Sequence, residues 1–110
     1  MFIKNYVKDY YWNLIYDNYD EEYLLGLNKD NFEMVYRTLV DNNFYFIDDV
    51  ILNYLELFEI NSKSIEKALN EIKELIGDKY VFLIGKDLSL LNKIMDLALS
   101  FEGEDYDEEE

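Results

Sequence analysis

One stretch limits what this chain can fold into more than any other: residues Phe44 to Phe58, with the sequence FYFIDDVILNYLELF. Projected at about 3.6 residues per turn, its apolar side chains cover about half of a helix circumference. Only a narrow polar stripe remains, formed by Asp49, Asn53 and Glu56. A helix this apolar needs neighbours on several sides. The pattern therefore predicts one central helix from Phe44 to Glu59, packed inside other helices.

Shorter amphipathic segments precede and follow this stretch, with apolar residues at helical spacing. The predicted segments are 3–16, 21–25, 30–40, 64–76 and 87–99. Asp30 followed by Glu33 is a candidate N-terminal capping box, and Gly26 and Gly77 are candidate helix ends. We therefore expect an all-α domain over residues 1–101, built as a compact bundle of four to five helices.

Two alternatives to the simple bundle stay open. Residues 79–84 combine β-branched and aromatic residues and are also compatible with a short strand. A faint similarity between 31–58 and 64–100 is compatible with two stacked helical hairpins. After the domain, residues 102–110 hold seven acidic residues and little apolar surface, so we expect a disordered acidic tail there.

The sequence lacks the residues that several kinds of catalytic and metal-binding sites require. It contains no cysteine and no histidine, which removes thiolates, imidazole bases and the usual zinc ligands. The four glycines are scattered singly and form no phosphate-binding loop, and the acidic segment 17–28 lacks the order of a calcium loop. We expect no enzyme activity, no catalytic residues, no cofactor and no metal.

The charge is strongly negative, −15 from 25 acidic and 10 basic residues. Lysine and arginine are missing from 9–28 and again from 38–62, and each of these stretches has five acidic residues. Such a field repels nucleic acid and anionic lipid and attracts basic proteins. The chain also shows no leader pattern and no apolar run of about 20 residues, so we expect a cytoplasmic protein that contacts neither nucleic acid nor membrane directly.

Aromatic residues are concentrated at the N-terminus, where six of the eleven tyrosines and the only tryptophan lie within the first 23 residues. Such side chains are favoured in protein interfaces because they bring large contact area with a polar end. Together with the nearby carboxylates they are the predicted partner-binding residues. These are Trp12, Tyr16, Asp17, Tyr19, Asp20, Glu21, Glu22, Tyr23, Asp48, Asp49 and Glu56.

In size, charge and lack of catalytic residues the chain resembles two classes of small inhibitor: phage-encoded anti-CRISPR proteins that mimic nucleic acid, and immunity proteins that neutralise nuclease toxins. The resemblance is one of composition, covers no motif and assigns no family. It implies a helical inhibitor that blocks a basic nuclease or effector, with carboxylates in place of phosphates and rings in place of bases. The alternative is a structural or adaptor module that self-associates, for example as a homodimer, through its aromatic N-terminal helix.

Overall fold

Seven α-helices and two 3-10 helices form the described part of the chain, which in this computed structural model is residues 1–109, with side chains described for residues 1–102. The α-helices are α1 (Asp9–Asn18), α2 (Glu21–Leu25), α3 (Lys29–Asp41), α4 (Ile47–Asn53), α5 (Ser62–Ile76), α6 (Tyr80–Lys86) and α7 (Leu90–Glu109), and the 3-10 helices are Phe2–Tyr6 and Leu55–Glu59. No β-strand occurs within residues 1–109, so the all-α prediction is confirmed. The expected number of helices, four to five, was too low.

The alternative of a short strand at 79–84 is wrong, because the chain from Tyr80 onward forms α6. A lone strand would leave its backbone N–H and C=O groups without partners, whereas a helix satisfies them internally. The helix buries Tyr80, Val81 and Ile84, which lie on one helical face. Phe82, on the other face, is half exposed.

The predicted single helix from Phe44 to Glu59 is also wrong. α4 ends at Asn53, Tyr54 leaves the helical region with φ −137° and ψ 48°, and a 3-10 helix follows. The reason is the wide apolar surface of this stretch. Leu55 and Leu57 would point about 200° apart on a continuous α-helix. With the break at Tyr54 both are fully buried.

The predicted N-terminal helix at 3–16 is divided in the same way. A 3-10 helix ends at Tyr6, Val7 is extended with φ −134° and ψ 160°, and α1 begins at Asp9. The division lets the first segment turn onto α3, where the ring of Tyr6 lies 5.3 Å from that of Phe32 and at an edge-on angle. The N-terminal aromatic residues therefore cover two different parts of the core.

Helix ends follow the sequence signals in part. Asn61 caps α5 by accepting a hydrogen bond from the Lys63 N–H at 2.9 Å, and Gly77, at φ 93°, ends that helix in a conformation that favours glycine. The predicted cap at Asp30 is wrong. The cap of α3 is Asn28, whose side chain accepts from the Asn31 N–H at 2.9 Å.

The core lies where α3, the second 3-10 helix, α5 and α7 meet. α5 and α7 make the most extensive contact between described elements and are antiparallel, since the Glu102 carboxylate in the C-terminal half of α7 accepts a hydrogen bond from the N–H of Asn61, just before α5, at 2.7 Å. The first predicted hairpin, 31–58, does not consist of two long helices.

The division into a domain at 1–101 and an acidic tail at 102–110 stays a prediction, because side chains after residue 102 lie outside the described part.

Replacing Asn31 with alanine is expected to lower the free energy of unfolding by about 1 to 3 kcal/mol. The Asn31 amide nitrogen donates to the carbonyls of Phe58 at 2.6 Å and Ile60 at 3.0 Å, where the chain leaves the second 3-10 helix. The matched control is Asn13→Ala in α1, where the side chain is exposed and makes no hydrogen bond within residues 1–102. Urea unfolding of both variants checks this. If both variants lost the same free energy of unfolding, the hydrogen bonds from Asn31 to these two carbonyls would not contribute to stability.

Candidate protein-binding site

The two stretches that lack basic residues pack against each other through α1 and α4. Near the start of α1, the Tyr11 hydroxyl donates a hydrogen bond to Oδ1 of Asp49 at 2.8 Å. Just after α1, the Tyr19 hydroxyl donates to the carbonyl of Leu52 at 2.9 Å. These two bonds fix the N-terminal aromatic segment along the whole length of α4. Asp49 is thereby brought next to α1, whereas Asp41 of the second stretch lies at a separate cleft with Lys73.

A second group of contacts joins α2 to the second 3-10 helix. The rings of Tyr19 and Tyr23 are stacked with their centroids 5.8 Å apart, and the Tyr23 hydroxyl donates to Oε2 of Glu59 at 2.7 Å. Glu56 lies close enough for its charge to act on both tyrosines. The structure therefore holds two acidic and aromatic clusters, one around Tyr11 and one around Tyr23.

These tyrosine hydroxyls are held in the protonated form. For Tyr23, burial and then the hydrogen bond to Glu59 raise the pKa well above its usual value. For Tyr19, burial raises the pKa. For Tyr11, the hydrogen bond to Asp49 is the main cause of a raised pKa, followed by burial and the charges of Asp49 and Asp48. Each hydroxyl therefore remains a donor.

The predicted partner-binding residues differ in how far they reach solvent. Most of the carboxylates and one ring are exposed, and these are Tyr16, Asp17, Asp20, Glu21, Glu22 and Glu56. The others are partly buried, and these are Trp12, Tyr19, Tyr23, Asp48 and Asp49. Trp12, Tyr19 and Tyr23 pack on the core, so Tyr16 has the most exposed ring of the predicted set, at 48%, although it contacts Trp12 with 5.8 Å between ring centroids. Sequence reasoning did not select Tyr10 and Tyr45, which are 71% and 69% exposed.

A surface cleft of about 290 Å³ lies between the start of α1, α3 and the first turn of α4. It is lined by Lys8, Tyr11, Tyr36, Phe44, Tyr45, Phe46, Ile47, Asp48 and Asp49. The sequence pointed to the two carboxylates as binding residues but not to the three tyrosine rings or the lysine. Because residues 44–46 were assigned to a helix, Tyr45 was not recognised as a cleft residue. It belongs to the segment between α3 and α4.

Gly85 in α6 helps to shape this cleft. A Cβ atom at this position would lie 2.6 Å from the Tyr45 hydroxyl oxygen and 3.1 Å from Cε1 of Phe46, which is closer than side chains normally approach. The absence of a side chain lets α6 contact the segment between α3 and α4 directly. Gly85 therefore serves close packing of α6 against this segment.

No group of three acidic side chains within the described part of the chain is close enough to hold a metal ion together. None of the described helices has both the length and the apolar character needed to cross a membrane.

No family model matches this chain, and neither does any curated protein or any solved structure.

Proposed function

We propose that this protein is a non-enzymatic inhibitor that binds a basic nucleic-acid-handling protein, such as a nuclease or a CRISPR effector, and blocks nucleic-acid access by charge mimicry. The observation that carries the proposal is the packing of 9–28 against 38–62. Each stretch has five acidic residues and no basic one, and three tyrosine hydroxyls join them, those of Tyr11, Tyr19 and Tyr23. The result is a concentrated negative surface with aromatic rings in it.

Such a surface has the two features that a nucleic-acid-binding protein recognises without reading sequence. Lysine and arginine side chains of the partner neutralise phosphates, and carboxylates can take the place of those phosphates. Aromatic rings can occupy positions that stacked bases would fill. In this proposal the exposed carboxylates of α1 and α2 attract the partner, while Tyr16 and Tyr10 supply the exposed rings.

Self-association is the second candidate, and exposed apolar side chains at the end of α5 and on α6 favour it. Leu75 is 76% exposed, and Ile76, Phe82 and Leu83 are also exposed. A charge of −15 on each copy opposes self-association at low salt, because like charges repel over distances of about 10 Å under those conditions. A dimer formed through this apolar surface would therefore become stronger as salt rises, whereas the proposed inhibitor complex would become weaker.

The experiment that tests the proposal is capture of bound proteins from the native host lysate at low salt, followed by elution at high salt and mass spectrometry. The expected result is a basic nucleic-acid-binding protein that is released by salt and that nucleic acid displaces in competition. Recovery of the bait alone, as a dimer that resists salt, would contradict the proposal and support self-association.

Removing four charges from α1, α2 and the residue that precedes α2 is expected to slow association with the captured protein about tenfold at low salt, because long-range attraction speeds encounter between opposite charges. The substitutions are Asp17→Asn, Asp20→Asn, Glu21→Gln and Glu22→Gln. The rate is measured by surface plasmon resonance at two salt concentrations.

A matched control removes four exposed charges from α5 and α7. These substitutions are Glu66→Gln, Glu71→Gln, Glu74→Gln and Asp96→Asn. Both variants have the same net charge, so only the position of the lost charges differs. Equal slowing in the two variants would show that net charge, and not the surface formed by 9–28 and 38–62, governs binding.

A further inference from the structure

The cleft between α1, α3 and α4 has the size of a site for one side chain. Its volume, about 290 Å³, is at the lower end of the range for small-molecule pockets, about 300 to 1,000 Å³, and equals the liquid volume of roughly ten water molecules. Tyr45, which is 69% exposed, lines the cleft, so a ligand can enter from solvent. Such a space fits one long side chain of a partner protein.

The lining combines aromatic rings with carboxylates. Tyr11, Tyr36 and Tyr45 supply three rings, and Asp48 and Asp49 supply two negative charges. Asp49 uses Oδ1 to accept from Tyr11, which leaves Oδ2 for a ligand. Asp48 has no hydrogen bond or ion pair with any side chain in the described range 1–102, so its carboxylate has its full capacity to accept.

Two positive groups near the cleft do not cancel this charge. The N-terminus of α4 contributes at most about half a positive charge. Lys8 also lines the cleft, but within residues 1–102 its ammonium makes no ion pair with Asp48 or Asp49. The carboxylates are therefore open to a better-matched cation from outside the chain, and Lys8 is a competitor for the same space.

A guanidinium group matches this lining better than an ammonium group does. It is planar, stacks on aromatic rings and donates two parallel hydrogen bonds to a carboxylate, whereas an ammonium is a compact and strongly hydrated point charge. We propose that the cleft binds an arginine side chain of the partner, with its guanidinium against the tyrosine rings and hydrogen-bonded to Asp48 and Asp49. In naming the partner as a basic protein, this inference rests on the proposed function.

The test is an NMR titration of the ¹⁵N-labelled full chain with the peptide acetyl-Gly-Arg-Gly-amide. Backbone signals of the cleft segments 8–11 and 45–49 are expected to shift more than those of other acidic segments. Peptides with citrulline or lysine in place of arginine are run alongside. Citrulline keeps the shape but lacks the charge, and lysine keeps the charge but lacks the planar group, so both are expected to bind more weakly.

Variants link the shifts to particular side chains. Asp48→Asn is expected to weaken binding of the arginine peptide about tenfold, because a charge-assisted hydrogen bond is lost. Tyr45→Ala, at an exposed position that should tolerate the change, is expected to weaken it about threefold. Lys8→Ala is expected to strengthen it, because a competing cation is removed. The matched control is Asp96→Asn in α7, which removes an exposed charge outside the cleft and outside the predicted partner-binding residues and should leave the affinity unchanged.

Three results would overturn the inference. Shifts spread evenly over all acidic segments would mean general attraction without a site. If the lysine peptide bound as tightly as the arginine peptide, the guanidinium group would have no specific role in binding. Unchanged affinity in both Asp48→Asn and Tyr45→Ala would place the peptide elsewhere.

The cleft and the proposed function can fail separately. If the peptide does not bind in the cleft but a basic protein is still captured and released by salt, the cleft inference fails and the proposed function stands. If the peptide binds in the cleft but no basic protein is captured, the proposed function fails and the cleft remains an arginine site.

Discussion

Replacing Phe58 with alanine is expected to lower the free energy of unfolding by about 3 to 5 kcal/mol, the range for removing a buried phenylalanine. The Phe58 side chain is 2% exposed, and its ring stacks on that of Phe32 with 4.6 Å between centroids and 24° between planes. This pair joins the second 3-10 helix to α3 at the centre of the core. Alanine would remove the ring, its stacking and its dispersion contacts, and would leave a cavity that rigid neighbours fill only in part.

The matched control for Phe58→Ala is Phe82→Ala, which removes the same atoms from a side chain that is 50% exposed. The Lys86 ammonium lies 4.9 Å from the centroid of the Phe82 ring, so the control loses one exposed cation–π contact and should cost about 1 kcal/mol or less. Urea unfolding followed by circular dichroism compares the two. A loss below about 2 kcal/mol for Phe58→Ala would contradict a central role for the stacked pair.

The helices that could be predicted best are those whose local signals agree with one another. α5 has apolar residues on one face and Gly77 after it, and it ends at Gly77 as predicted, although it begins at Ser62, two residues before the predicted start. Ile65, Ala68 and Leu69 of its apolar face are buried, whereas Leu75 and Ile76 at its end are exposed. Periodicity, capping and helix end all depend on residues close in sequence, so no knowledge of the tertiary packing was needed.

The stretch from Phe44 to Phe58 could not be predicted in the same way, because nearly all of its residues are apolar. Periodicity distinguishes a helix by the contrast between two faces, and here the contrast is weak. The break at Tyr54 depends on which neighbours are available to cover Leu55 and Leu57, and α3 supplies them through tertiary packing. The sequence therefore indicated burial of this stretch correctly but not its backbone path.

The candidate site was also predictable only in part. Asp48 and Asp49 stood out because their segment lacks basic residues, but the hydrogen-bond partner of Asp49, Tyr11, lies 38 residues away in the chain. Tyr36 and Tyr45 reach the cleft because α3 and the segment after it fold back against α1. Contacts at such separation follow from the arrangement of helices, which charge and composition do not determine.

Raising the pH above about 10 is expected to destabilise this protein, because several tyrosines keep their protons more strongly in the folded chain than in the unfolded one. Burial raises the pKa of Tyr80 and Tyr19, and burial together with the hydrogen bond to Glu59 raises the pKa of Tyr23. Above the usual tyrosine pKa of about 10 the unfolded chain has lost these protons while the folded chain retains them. The folded chain then binds more protons, so the free energy of unfolding falls as the pH rises.

This stabilising contribution is complete below about pH 10 and is lost as the pH rises through the folded values, with a slope of at most about 1.4 kcal/mol per pH unit for each tyrosine. Urea unfolding between about pH 8 and pH 12, with tyrosinate absorbance to follow ionisation, measures the slope.

Tyr23→Phe is expected to make this fall in the free energy of unfolding with pH shallower, because one tyrosine with a raised pKa is gone. The control is Tyr10→Phe, where the hydroxyl is on a ring 71% exposed and donates to no carboxylate within residues 1–102. An equal change of slope in both variants would mean that the contacts of Tyr23 do not govern the alkaline loss of stability. A smaller change in Tyr10→Phe than in Tyr23→Phe would tie that loss to the packing of α2 against the second 3-10 helix.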